Sequence, residues 1–120
     1  MLREFTALRQ EAQGFRRLFC DDEFDLYAWY ETHDGPLFGF QLVYFEEEQQ
    51  KALTWTRAEG YHHHAVEGWD SHRFNETPVL TPDGTFAPQS LLARLTGLLG
   101  EVDPEVRNLV LAKITDFPTT

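Results

Sequence analysis

The chain has 120 residues and a mass of 14.0 kDa; 42% of it is hydrophobic, 25% charged and 14% aromatic, with 8 Gly and 6 Pro. That length predicts a single domain over residues 1–120, able to bury a core without metals or disulfides, and the composition excludes a disordered chain or a collagen-like repeat. Lys and Arg number 10 against 20 Asp and Glu, net −10, which argues against a nucleic-acid partner, since such a partner needs a basic surface to displace phosphate counterions.

The first expected element is an N-terminal helix, because Leu2, Phe5, Leu8, Arg9 and Ala12 keep helical spacing and Gly14 would stop it. Residues 15–20 read as a short strand and Asp21-Asp22-Glu23 as a turn. Residues 25–32 and 37–45 are rich in aromatics and too punctuated by Gly and Pro for one helix. They read as two strands joined by the loop 33–36, since Pro36 lacks the N–H that a two-residue turn would use. A loop over 47–50 leads to a third strand over 51–57. Counting outward from the turns puts Trp29 beside Phe40 and Tyr27 beside Leu42. Tyr27, Trp29, Phe38, Phe40, Leu42, Tyr44, Leu53 and Trp55 then share one aromatic face, opposite a smaller and wetter one.

Residues 69–74 and 77–81 read as further short strands, followed by a Pro82-Asp83-Gly84 turn. Pro88 suits a first helical turn before the stripe Leu91, Leu92, Leu95, Leu98, Leu99. Asp103-Pro104-Glu105 supplies an N-cap, a first-turn proline and an acidic first turn before Val106, Leu109, Val110, Ile114 and Phe117. The expected fold is α+β: an N-terminal helix, a curved antiparallel meander of about five or six strands, and two C-terminal helices on its aromatic face.

Cys20 is the lone cysteine, so it closes no intramolecular disulfide, and it reads as an inert thiol. The start, Met1-Leu2-Arg3-Glu4-Phe5, lacks the apolar stretch of a signal peptide, and no apolar run approaches the ~20 residues a span requires. The expectation is a cytoplasmic protein with no membrane partner. Charge is unevenly spread: residues 1–20 hold four Arg against two Glu, whereas residues 21–50 hold nine carboxylates and no Lys or Arg.

Two clusters invite a chemical reading. In Tyr61-His62-His63-His64 an extended backbone would send His62 and His64 to one side and His63 to the other. With His72, Glu67 or Asp70 from a neighbouring strand, His62 and His64 would form a three-ligand site for zinc or another divalent metal. The spacing His62, His64, Glu67 has some similarity to the cupin metal signature, but Glu67 follows too soon after His64, and no function is carried over. The second cluster comes from the strand register, which gathers Glu31, Arg57, Glu59, Tyr61 and His63 near the 33–36 loop as an ion-pair network or a small polar ligand pocket.

No phosphate loop and no nucleophile with a supporting base is present in the sequence, and no catalytic residue is assigned. The leading expectation is a non-catalytic protein-binding or accessory domain that forms a homodimer. The wetter sheet face would do this, through Leu26, Tyr30, Val43 and Phe45. A metal-dependent enzyme built on His62, His64 and His72 is one alternative. A small-molecule pocket near Glu31, Arg57 and Glu59 is another.

Overall fold

Alternating burial, clearest over residues 24–30, marks the extended segments of this chain. A computed structural model describes residues 1–10, 14–46, 49–65, 77–78 and 87–118. Among them, seven strands follow one another: β1 (Arg3–Phe5), β2 (Phe15–Cys20), β3 (Phe24–Tyr30), β4 (Leu37–Glu46), β5 (Gln49–Thr56), β6 (Gly60–Ala65) and a two-residue β7 (Thr77–Pro78). Each pairs antiparallel with the next, so sheet order equals chain order. Two helices come after the strands: α1 (Pro88–Leu95), continued by a 3-10 turn over Thr96–Leu98, and α2 (Pro104–Thr115). The fold is α+β. No helix among the described residues is long and apolar enough to cross a membrane.

The expected N-terminal helix is absent. Its place is taken by β1, which pairs Arg3 with Cys20 and Phe5 with Leu18, while the Leu2 N–H donates to the Leu98 carbonyl at 3.0 Å. The edge of β2 offers unpaired backbone groups, and pairing with it satisfies a short segment that a helix would have left solvent-exposed. The supposed apolar stripe does not form a face: Leu2 is buried, Leu8 is half-buried, Phe5 is exposed, and Ala12 lies outside the described residues.

The register of β3 also differs from expectation, by one residue. Leu26 faces Leu42 and Ala28 faces Phe40, while Trp29 faces Gly39. The buried face of β3 is therefore Phe24, Leu26, Ala28 and Tyr30, and Tyr27 and Trp29 turn to the opposite face. Two local features set this parity. The connection spans residues 31–36, closed by Glu31 N–H to Pro36 carbonyl at 3.1 Å and Gly35 N–H to Thr32 carbonyl at 2.9 Å. Beside it, a bulge between Trp29 and Tyr30 places one extra residue, Phe38, in β4. The energetic reason is chemical. Phe24 and Leu26 bring no polar atom inward, whereas burying Tyr27 and Trp29 would require partners for a phenol and an indole N–H. In β5 the pairing Leu42–Leu53 and Phe40–Trp55 shifts by two residues from expectation, which leaves its facing unchanged.

The helices cover this apolar face. Leu2, Phe19, Leu26, Phe40, Leu42 and Leu53 from the sheet meet Leu91, Leu95, Leu99, Val106, Val110 and Ile114 from the helical end. Pro88 opens α1, and the Asp103 carboxylate caps α2 by accepting from the Glu105 N–H at 3.0 Å. The helices are fastened by polar edges too: the Tyr61 hydroxyl donates to the Lys113 carbonyl at 2.7 Å, and the Lys113 ammonium sits 4.3 Å from the Trp55 ring centroid. Residues 69–74 and 79–84 lie outside the described residues, as do most of the two strands expected there.

Candidate functional site on the outer sheet face

The strand register divides the first ligand-pocket expectation. Glu31 and Arg57 do meet, Nη2 to Oε2 at 2.8 Å, but as an ion pair with both side chains more than half exposed. Glu59 lies on the β5–β6 turn, with its carboxylate 4.0 Å from the His62 Nε2. Tyr61 is committed to α2, and its ring packs edge-on to Phe117 with 5.2 Å between centroids. His63 points inward, where its Nε2 lies 2.7 Å from the Tyr44 hydroxyl in a buried hydrogen bond. Burial pushes the Tyr44 phenol well above its usual range. These five residues serve four separate contacts among the described residues.

The metal expectation places His62 and His64 on one side of β6, opposite Thr54 and Ala52, with His63 on the other. His62 is half-buried and His64 buried. His72, Glu67 and Asp70 lie outside the described residues, and among the described ones no three His, Cys, Asp or Glu side chains gather as a metal site. Cys20 is half-buried, its thiol pushed up by burial and by Asp25 and Asp21, which disfavours a reactive thiolate.

What the register assembles is the face turned away from the helices. One row across it reads Phe5, Leu18, Tyr27, Gln41, Thr54, His62, and the next reads Arg16, Trp29, Gly39. Leu18, Tyr27, Trp29 and Val43 are half-buried, and Phe5 and Phe45 are 48% and 52% exposed. The Arg16 guanidinium lies 5.9 Å from the Tyr27 ring centroid and donates to the Arg9 carbonyl at 2.9 Å. The dimer patch expected from sequence is corrected here: Val43 and Phe45 lie on this face, but Leu26 and Tyr30 belong to the core. Tyr27, Trp29, Phe5 and Leu18 take their place. The alternation Phe24, Leu26, Ala28, Tyr30 was a signal for this parity in the sequence, competing with the bulkier set Tyr27 and Trp29.

At one end of the face is a cleft of about 310 Å³ lined by Gln10, Gly14, Phe15, Arg16, Trp29, Tyr30 and Phe38. Its walls are held. Trp29 and Phe38 stack with 6.5 Å between centroids and 28° between planes, and Phe15 packs edge-on against His33 at 4.6 Å. Gln10 bridges the rim: its side-chain amide donates to the Arg16 carbonyl at 2.8 Å and accepts from the Arg16 N–H at 3.0 Å. Gly14, at φ 75°, makes the left-handed turn that admits β2 below it. Such an arrangement can take a flat apolar group with a negative charge beside it.

No protein-family model matches this sequence, and no curated protein or solved structure matches it significantly.

Proposed function

We propose that this chain is a non-catalytic accessory domain that associates with a second copy of itself through the outer face of its sheet. The observation carrying this reading is the run of apolar and aromatic side chains there, from Phe5 through Leu18, Tyr27 and Trp29 to Val43 and Phe45, with Phe5 and Phe45 about half exposed. The chemistry-bearing groups described above support it as well, since Arg57, Tyr61, Tyr44 and His63 are each engaged in holding the fold.

Charge selects the orientation. The end of the sheet at the β2–β3 and β4–β5 turns carries Asp21, Asp22, Glu23, Asp25 and a Glu46 paired with Lys51, whereas Arg16 and Arg57 lie at the opposite end with Glu31, His33, Asp34 and Glu59. Two copies with net −10 each repel at long range, and parallel stacking would set acidic end on acidic end. An antiparallel, two-fold arrangement sets the acidic end of each copy on the Arg16 end of the other.

Multi-angle light scattering tests the reading. At several hundred micromolar the expected mass is twice 14.0 kDa, and the Tyr27→Asp variant, folded by circular dichroism, is expected at the single mass. A wild-type protein that remains at the single mass at that concentration overturns it.

A further inference from the structure

Resting on that self-association, we infer that Phe45 of each copy seats in the Trp29–Phe38 cleft of the other. The occupant follows from one strand. Phe38 and Phe45 lie near opposite ends of β4, Phe38 in the wall of the cleft and Phe45 half exposed on the outer face beside the acidic turn. A two-fold axis crossing β4 near Gln41 lays β4 over β4 of the second copy with the direction reversed. It brings Phe45 over Phe38, and by symmetry the reverse contact forms at the other end. At ~3.4 Å per residue the two contacts stand roughly 24 Å apart, well within two sheets stacked face to face.

Size and charge fit. The 310 Å³ cleft has the volume of about ten liquid waters at ~30 Å³ each, room for a benzyl group and the solvent at its rim. The Trp29 and Phe38 rings give it an aromatic wall with which the incoming ring can stack. Asp25 stands opposite Val43 at the end that carries Phe45, so its carboxylate arrives on the side where Arg16 lines the cleft. The contact is self-complementary: an anchor and a socket on one face, separated by the length of a strand, close into a dimer and leave no open socket to propagate a fibre.

The test uses two variants and their mixture. Phe45→Ser removes the anchor from an exposed position, and Trp29→Ala removes the socket wall. Each alone is expected to weaken the dimer at least tenfold by sedimentation equilibrium. Mixed, they retain one intact anchor and socket, so native mass spectrometry is expected to show mixed dimers at a concentration where neither variant pairs with itself. If Trp29→Ala fails to fold by circular dichroism, Arg16→Glu replaces it with the same expected outcome. A wild-type dimer that persists in both variants, or a mixture that forms no mixed dimer, overturns the Phe45 docking while leaving self-association standing. A wild-type monomer removes both and leaves the cleft to a ligand or another protein.

Discussion

Gly39 shows how narrowly single positions are fixed. It is buried in β4 opposite Trp29, and a Cβ there would lie 2.5 Å from the Trp55 carbonyl oxygen, a backbone atom that cannot step aside. Gly39→Ala is therefore expected to destabilise by ~1–3 kcal/mol, the usual range for forced overpacking, measured by urea unfolding. A variant as stable as wild type would show that β4 and β5 slide apart freely. The buried Tyr44–His63 hydrogen bond gives a second expectation at this scale. Tyr44→Phe keeps the ring and removes the hydroxyl that His63 meets at 2.7 Å, so a loss of ~1–3 kcal/mol is expected in the same measurement. Leu53→Ala removes a fully buried side chain between Leu42 and His63, and the expected loss is ~2–5 kcal/mol.

Between elements, the Arg17 side chain ties the short first strand to the last helix. Its guanidinium makes a bidentate pair with Glu4 of β1 at 2.8 and 2.7 Å, reaches the Tyr30 hydroxyl at 3.3 Å, and lies 3.3 Å from the Asp103 carboxylate that caps α2. The hydrogen bonds from Arg17 hold the Glu4 carboxyl below its usual range. Because the folded form holds that proton less tightly than the unfolded chain does, Glu4 adds stability above the ordinary carboxylate pKa. That contribution is lost as the pH falls through the lowered one. Glu4→Gln is thus expected to be less stable than wild type at pH 7, with the two converging near pH 2 in thermal unfolding. A difference unchanged between those pH values would place the Glu4 contribution in packing. Asp103→Ala removes both the cap and the Arg17 contact, and a loss of ~0.5–2 kcal/mol is expected from the cap alone.

Across the whole molecule, a sheet whose order repeats the chain order gives one face to the helices and on the other carries an apolar run over β1 to β4, with Ala52 and His64 buried toward its β6 side. Local signals were enough for several parts. The two C-terminal helices were readable from Pro88, Asp103-Pro104-Glu105 and the leucine and valine stripes, because caps and helical periodicity are written in consecutive residues. The strands β2 to β5 were likewise readable from alternation and turn residues. The core-facing residues Phe40, Leu42, Tyr44 and Leu53 of β4 and β5 were readable too, but the facing of β3 was not. In β3 the sets Phe24, Leu26, Ala28 and Tyr27, Trp29 both alternate, and only the bulge at Phe38 and the length of the 31–36 connection choose between them. That choice moved Trp29 from the expected core to the outer face and carried the candidate site with it. The N-terminal segment failed for a related reason: three residues gain backbone partners only where β2 already presents an edge, and no local pattern announces that edge. For β2 to β5 and the two C-terminal helices, the sequence alone determined which segments extend and which coil, and it determined that the whole is acidic and α+β, since those follow from spacing and side-chain chemistry. Tertiary structure alone decided which side of β3 meets the helices, because parity depends on how many residues two strands contribute to the turn between them.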